Sequence, residues 1–142
     1  MIGQGDVLAT PLQVLQMINL IATSGKTFEP HLNLDKELIP FQLKLKQNTW
    51  DIINTSMWQA VNYSGGTGWR AKINNNKVWG KTGTSQNPHG EPHSWFAGYT
   101  KINNGELMSI AIIVENGGKG SGEGSMIAGK LFDYYREINL ND

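Results

Sequence analysis

The residues best suited to chemistry form one short segment, Trp79-Gly80-Lys81-Thr82-Gly83-Thr84-Ser85. In it a lysine ammonium is flanked by threonine hydroxyls, and such groups together can grip a carboxylate. Gly83 lets a ligand approach the backbone closely, and a strand N–H can be offered to an oxyanion. The segment therefore predicts an anion-binding edge strand that uses Lys81, Thr82 and Thr84.

Two other interpretations of this segment deserve comparison. Gly80-Lys81-Thr82 matches the end of a phosphate-binding loop, but that motif needs glycine at position 75, where the chain has Asn75, and a helix directly afterwards. Because both requirements fail, we set the phosphate loop aside. The simpler alternative is a strand whose lysine and threonines only face water, and the segment alone leaves that alternative open.

Composition narrows the possible function classes. The chain has 142 residues, with 12 Lys+Arg against 12 Asp+Glu and 39% apolar residues. This composition disfavours disorder over the whole length, and zero net charge disfavours nucleic acid or acidic lipid as a partner. Without cysteine, disulfides, thiol nucleophiles and Cys–zinc clusters are excluded. The apolar-rich stretch 14–22 is interrupted by Gln16 and Asn19, so neither a signal peptide nor a membrane span is predicted.

The first helix is predicted over residues 11–24. Thr10-Pro11 is a helix-start signal, apolar residues follow at spacings of three and four, and Gly25 is a stop signal. A closing helix is predicted over roughly 123–137 from the same periodicity.

The segment between the first and second helices is harder to interpret. Residues 26–46 alternate poorly and contain Pro30 and Pro40, which predicts extended chain on the surface. Short strands are expected near His31–Leu34 and Gln42–Leu45.

The second helix is expected to begin with Asn48 or Thr49 as its N-cap and to end before Gly65-Gly66. Trp50 and Trp58 lie on its apolar stripe. They are predicted to be core residues rather than parts of a ligand groove.

From residue 78 onward the apolar residues recur at every second position. This predicts an antiparallel meander of three strands, Val78–Thr84, Ser94–Lys101 and Leu107–Glu115, with Asn103-Asn104-Gly105 as the second turn. The glycine-rich run 117–124 predicts a flexible connector to the last helix. Three strands with three helices indicate an α+β fold in which helices pack on an antiparallel sheet.

No metal or cofactor is expected. His89-Gly90-Glu91-Pro92-His93 offers two imidazoles and a carboxylate, but it lies in a proline-broken connection and lacks the helical spacing of a zinc site. The sequence favours a solvent-facing loop here.

Lys81-Thr82-Gly83 is similar to the K-T-G element of penicillin-binding proteins and serine β-lactamases. Three further elements occur in the family's order. Ile2-Gly3-Gln4-Gly5 with Thr10-Pro11-Leu12-Gln13 resembles I-G-Q-G…T-P-L-Q, Gly66-Thr67-Gly68 resembles the G-T-a turn, and Ser94-Trp95-Phe96-Ala97-Gly98-Tyr99 resembles the strand after K-T-G. On these elements the chain is identified as a member of the class B penicillin-binding proteins, most like their elongation-type members, with part of the penicillin-binding protein/serine β-lactamase-like fold.

The resemblance implies a peptidoglycan D,D-transpeptidase that crosslinks stem peptides through an acyl-serine and binds β-lactams. It implies that Lys81 and Thr84 are catalytic, with Lys81 supplying positive potential and the Thr84 N–H forming half of the oxyanion hole. It also implies that the substrate is bound by Thr82 and Thr84, whose hydroxyls hold its carboxylate, and by Gly83, which permits close approach. Trp95 is expected at the rim of the site, although a packed aromatic of the sheet is the alternative.

The sequence departs from the family pattern at the nucleophile. No serine is followed by lysine three residues on, so S-x-x-K is absent. Ser85-Gln86-Asn87 fits S-x-N but adjoins the K-T-G strand instead of lying on an earlier loop, so we interpret it as coincidence. Residues 1–142 are therefore expected to be a single C-terminal fragment of a transpeptidase domain, inactive alone. The alternative is a non-catalytic module that binds a carboxylate or peptide.

The resemblance further implies partners and a location. The partners are the peptidoglycan stem peptide, β-lactams, a glycan synthase and proteins of the elongation complex. The parent protein is expected to be anchored in the inner membrane with this domain in the periplasm. Because the strand 107–115 would lack its usual neighbour in such a fragment, self-association is also expected.

Overall fold

Two strands follow the first helix, and three strands lie between the second and third helices, in the computed structural model, which describes residues 8–33, 35–74, 77–102 and 105–138. The helices are α1 (Pro11–Ala22), α2 (Gln47–Asn62) and α3 (Glu123–Ile138). The strands are β1 (Lys26–Phe28), β2 (Pro40–Gln42), β3 (Val78–Ser85), β4 (His93–Lys101) and β5 (Leu107–Val114), and a 3₁₀ turn covers Trp69–Ala71. The predicted α+β fold is confirmed.

Helix α1 begins as its sequence predicts. The Thr10 hydroxyl accepts from the Gln13 N–H at 3.2 Å, and the Gln13 side chain accepts from the Thr10 N–H at 2.8 Å, so a capping box precedes Pro11. The helix ends at Ala22, two residues before the predicted boundary, because Ser24 adopts a left-handed φ of 54°. Gly25 follows with a φ of 103° and closes the turn through its N–H.

The next segment is extended as predicted, but its strands lie elsewhere. Residues 31–33 form no strand and Leu34 lies outside the described residues, while β1 begins five residues earlier, at Lys26. The second strand ends at Gln42, where the predicted one began. Pro40 is the first residue of β2, a position that needs no ladder N–H, so this proline starts a strand instead of breaking one.

The predicted N-cap of α2, Asn48 or Thr49, is wrong by two or three residues. Lys46 is the N-cap and makes no side-chain capping bond; its backbone carbonyl accepts from the Thr49 N–H at 2.9 Å. The helix ends at Asn62, before Gly65-Gly66, as predicted. Trp50 is buried as expected, whereas Trp58 is only half-buried.

Strands β3, β4 and β5 form the predicted antiparallel meander, in that order across the sheet. Lys81 lies opposite Ala97 and Gly83 opposite Trp95. Asn103 and Asn104 of the predicted turn lie outside the described residues. The Gly105 N–H donates to the Ile102 carbonyl at 2.9 Å, which is consistent with a tight turn.

The two faces of the sheet carry different helices. Helix α3 packs on one face, and α1 packs on the other across β4 and β5, while α2 lies along β3. The core on the α3 face comprises Val61, Ala71, Ile73, Val78, Phe96, Ala128 and Phe132. The core on the α1 face comprises Ile18, Met57, Ala97 and Tyr99. Both cores include residues of β3 or its neighbour β4, so packing on two sides fixes the strand that carries the K-T-G element.

Candidate functional site

Strand β3 holds the candidate site at an edge of the sheet. In the described part of the chain, β4 is the only strand that pairs with it. Lys81 is exposed, and its ammonium donates to the Thr82 carbonyl at 2.7 Å and lies 3.4 Å from the Thr82 hydroxyl. The structure therefore places the charge of Lys81 directly beside the hydroxyl that was predicted to bind a carboxylate.

Thr82 is held by a residue to which the sequence analysis gave no role. Its side chain is buried, and its hydroxyl lies 2.8 Å from the hydroxyl of Thr67. Thr67 belongs to the turn after α2, where the Gly68 N–H donates to the Ala60 carbonyl at 2.8 Å. The Gly66-Thr67-Gly68 pattern was the signal that could have identified Thr67.

Thr84 lies on the same side of β3 as Thr82, since alternate side chains of a strand share a face. Its hydroxyl accepts from the Gly120 N–H at 2.9 Å. A Cβ added at Gly120 would lie 2.0 Å from the Gly83 carbonyl oxygen, so only glycine permits this approach. The last part of the K-T-G strand is thus fixed by the loop between β5 and α3.

That loop is more ordered than the expected flexible connector. The Ser94 hydroxyl donates to the Lys119 carbonyl at 3.1 Å and accepts from the Gly124 N–H at 3.1 Å. Because Ser94 lies opposite Thr84 in the sheet, β4 and the loop together support the end of β3. The glycine run therefore forms one wall of the site, and this corrects its interpretation as a flexible linker.

Trp95 also lies at the site. It is opposite Gly83, and a Cβ on Gly83 would be 3.1 Å from the Trp95 Cβ. An apolar cavity of about 340 Å³ runs beside them and is lined on the strand side by Lys81, Thr82, Gly83, Trp95 and Ala97. Its other lining residues come from α1 and α2: Val14, Met17, Ile18, Ile21 and Met57. Four of the five predicted site residues thus line one cavity, while Thr84 lies on the same strand but is not among the lining residues.

Two segments near the site, Ser85-Gln86-Asn87 and residues 89–93, are each hydrogen-bonded to Asn116. The Asn87 side chain donates to the Asn116 side chain at 2.8 Å, and the His93 Nδ1 accepts from the Asn116 N–H at 3.0 Å. These bonds join the loop after β3 to the end of β5. Within residues 8–33, 35–74, 77–102 and 105–138, no group of three or more His, Asp or Glu side chains is arranged to hold a metal ion.

Comparison with known proteins identifies the family to which the chain belongs. The family model described as the penicillin binding protein transpeptidase domain matches residues 1–134. The chain belongs to this family. Among its relatives, the peptidoglycan D,D-transpeptidase MrdA of Haemophilus influenzae is 34% identical over an alignment of 166 positions, which covers 98% of this chain and 25% of the relative. The MrdA protein of Salmonella typhimurium is 26% identical over 94% of this chain.

Solved structures agree with this assignment. Penicillin-binding protein 2 of Pseudomonas aeruginosa, solved in complex with WCK 5153, superposes with a TM-score of 0.78 and 30% identity over 94% of this chain and 31% of that chain. Penicillin-binding protein A of M. tuberculosis, solved as an imipenem acyl-enzyme, shares the fold with a TM-score of 0.73 at 22% identity, over 94% of this chain and 32% of that one. The resemblance to class B proteins, and to penicillin-binding protein 2 among them, is confirmed.

The match is also limited in extent. The chain spans about a quarter of the length of the curated relatives it matches. Among the described residues no helix is long and apolar enough to cross a membrane.

Proposed function

We propose that this chain supplies the K-T-G wall of the active site of a penicillin-binding protein 2-type D,D-transpeptidase, which crosslinks peptidoglycan stem peptides through an acyl-serine intermediate. The observation that carries the proposal is the Thr82 hydroxyl held between the Lys81 ammonium and the Thr67 hydroxyl, with Thr84 on the same face. A cation and hydroxyls aligned along an edge strand suit the terminal carboxylate of a stem peptide or of a β-lactam.

Each predicted site residue has a defined part in this reaction. Lys81 supplies positive potential beside the nucleophile, and the N–H of Thr84 is one of the two donors to the oxyanion. One such donor contributes about 2.7–4 kcal/mol of transition-state stabilisation. Thr82 and Thr84 hold the carboxylate, Gly83 permits close approach, and Trp95 forms the apolar rim.

The nucleophile comes from another part of the protein. No serine of the 142 residues begins an S-x-x-K motif, and the Ser85-Gln86-Asn87 segment lies immediately after the K-T-G element. The chain alone is therefore inactive, and the parent protein carries the serine, a membrane anchor and the contacts to a glycan synthase and the elongation complex. In this proposal the domain lies in the periplasm.

A labelled-penicillin experiment tests this function. The isolated chain should form no covalent adduct, whereas the full-length protein that contains it should form one adduct per molecule. A stoichiometric adduct on the isolated chain would contradict the missing nucleophile. Absence of an adduct on a full-length protein would favour the second candidate, a non-catalytic module in which Lys81, Thr82 and Thr84 only bind a carboxylate.

Self-association of the isolated chain is part of the same proposal. In the described residues β5 pairs only with β4, and its sequence Leu107–Val114 is apolar and free of proline. Such an edge can pair with a second copy of the chain. Light scattering should show dimers or larger species that grow with concentration, and a monomer at every concentration would exclude this pairing.

A further inference from the structure

A pocket lined by cations lies where helix α3 packs on residues 70–74. Its volume is about 280 Å³. The side chains that matter for its chemistry are Arg70, Lys72 and Ile73 on one wall and Met126, Lys130 and Asp133 of α3 on the other. None of them lines the cavity beside Lys81, so this cationic pocket has no part in the proposed reaction.

The two walls of the cationic pocket are in direct contact. A Cβ added at Gly129 of α3 would lie 2.6 Å from the Arg70 carbonyl oxygen, so only glycine permits this approach. Further along the same wall, the Asn74 carbonyl accepts from the Arg136 guanidinium at 2.8 Å. The pocket therefore keeps its shape without a ligand, and binding needs little ordering of the backbone.

Three cations meet at this pocket without an acidic partner. Arg70, Lys72 and Lys130 are exposed, and none of them forms an ion pair with the residues that the structure describes. Within the same residues Asp133 is the one acid that lines the pocket, and its carboxylate accepts from the Arg136 guanidinium at 2.8 Å. The positive charge is therefore left uncompensated, and an anion would relieve the repulsion between the three cations.

The Arg70 side chain is oriented by its neighbour. The carbon of its guanidinium lies over the ring of Trp69, 5.2 Å from the centroid, which is a cation–π contact. Stacking on an aromatic face leaves the N–H groups at the edge of a guanidinium available, and these N–H groups match two oxygens of an anion at once. Arg70 is thus prepared to bind an oxyanion.

The number of cations and the apolar part of the walls narrow the chemistry of the ligand. A phosphate monoester carries nearly two negative charges at pH 7 and three acceptor oxygens, whereas a carboxylate has one charge and two oxygens. Ile73 and Met126 provide apolar surface for the carbon part of an ester. A nucleic acid would need a longer basic surface, but Glu123 and Glu137 lie on the same helix as Lys130.

We propose that the cationic pocket binds the phosphate group of a phosphate monoester, carried by a small soluble molecule or by the headgroup of a lipid. Arg70 and Lys130 bind the phosphate oxygens from opposite walls, and Lys72 adds a third positive charge. The zero net charge of the chain is compatible with such a site, because the three cations are gathered in one place.

Calorimetric titration of the chain with sn-glycerol 3-phosphate at low salt tests the proposal. Glycerate is the matched control, because it has three carbons and hydroxyl groups but carries a carboxylate instead of a phosphate. Glycerol phosphate should bind with a Kd below about 1 mM, and glycerate should bind at least about tenfold more weakly. Equal binding of the two anions, or no binding of glycerol phosphate at about 10 mM, would overturn the proposal.

Variants locate the site. Lys130→Gln should weaken the binding of glycerol phosphate about tenfold, because a hydrogen bond from a charged group is lost. Lys44→Gln removes the same charge at an exposed lysine far along the chain and should change nothing. If both variants weaken binding equally, the ligand responds only to net charge and the pocket is not its site.

Removal of an acid from the pocket should have the opposite effect. Asp133→Asn keeps an oxygen that can accept from Arg136 but removes a negative charge beside the ligand. Glycerol phosphate should therefore bind about two- to fivefold more tightly, a gain that damage to the structure would not produce. Unchanged or weaker binding would contradict the proposed position of the phosphate.

One further variant separates this pocket from the candidate site, which also contains a cation. Lys81→Ala should leave the binding of glycerol phosphate unchanged, because Lys81 does not line the cationic pocket. Loss of binding in Lys81→Ala would place the phosphate at the K-T-G strand and overturn the proposal. Reaction with penicillin in the full-length protein is a separate readout, so either proposal can fail alone.

Sedimentation with vesicles distinguishes the two sources of the phosphate. The vesicles are made of phosphatidylcholine with or without phosphatidic acid. Sedimentation that needs phosphatidic acid and is lost in Lys130→Gln would assign the pocket to a lipid headgroup, and binding of glycerol phosphate alone would assign it to a soluble ester. Sedimentation that is unchanged in Lys130→Gln, without binding of glycerol phosphate, would overturn the proposal.

Discussion

The two faces of the sheet are packed to different degrees. On the α3 face, Val78, Phe96 and Phe132 are completely buried. On the α1 face, Met57 and Ala97 are 7% and 8% exposed, and a cavity of about 340 Å³ runs between the helices and Lys81. The candidate site therefore borders the looser face.

The two faces of the sheet therefore have different roles, one in stability and one in ligand binding. The α3 face buries large side chains completely, so it supplies stability. The α1 face combines an apolar cavity with the Lys81 ammonium, a combination that is usual for ligand sites. We expect substitutions on the two faces to change different quantities.

The largest expected effect is on stability. Phe96→Ala should lower the free energy of unfolding by about 3–5 kcal/mol, because the vacated space is enclosed on all sides. For Met57→Ala the loss of unfolding free energy should lie near the lower end of the ~2–5 kcal/mol range for Met→Ala, because the Met57 side chain already borders a cavity. Urea denaturation measures both values. Equal losses would show that the two faces are packed equally well.

Lys81→Ala should change activity and leave stability alone. In the full-length protein we expect acylation by penicillin to slow about 10²–10³-fold, the usual effect of losing one preorganised electrostatic group. The melting temperature should stay constant, because Lys81 is exposed. Lys44→Ala, at an exposed lysine after β2, is the control and should acylate normally. Normal acylation of Lys81→Ala would remove the role assigned to this residue.

The stability of the protein at alkaline pH should depend on Tyr99, which is buried on the α1 face. Burial raises the pKa of Tyr99 from 10.0 to about 12. Between these values the unfolded chain loses the proton while the folded chain keeps it, so stability falls as pH rises from about 10 to 12. The loss is on the order of 2 kcal/mol. In Tyr99→Phe this part of the pH dependence should disappear; an unchanged profile would mean that the Tyr99 hydroxyl titrates normally.

The smallest expected effect concerns Thr67. Thr67→Val keeps the shape of the side chain but removes the hydroxyl beside Thr82, and acylation of the full-length protein should slow about five- to tenfold, since a net hydrogen bond contributes about 1 kcal/mol. Thr49→Val, at an exposed threonine of α2, is the matched control. A loss as large as that of Lys81→Ala would make Thr67 more than a positioning residue.

Local signals in the sequence predicted local structure well. The Thr10 N-cap of α1 and the meander of β3 to β5 follow from residue types a few positions apart. Pro40 was misleading because a proline that starts a strand and one that breaks a strand look alike in sequence. Helix α2 starts with the Lys46 carbonyl accepting from the Thr49 N–H, so a search for capping side chains finds the wrong residue.

The supports of the site were harder to predict. Thr67 contacts Thr82 across 15 residues, and Gly120 contacts Thr84 across 36. Periodicity reports which face of an element is buried, but it carries no information about which distant loop packs against which strand. The K-T-G residues themselves were found because they are adjacent in sequence.

The contact of Gly120 with Gly83 limits how this protein can change over generations. Glycine-rich surface loops normally accept inserted or deleted residues. Here a shift by one position would bring a side chain to the place where only a hydrogen atom fits, and the Thr84 hydroxyl would lose its N–H partner. Related sequences should therefore keep a constant loop length between β5 and α3, and should vary in length in the hairpin connection after Phe28.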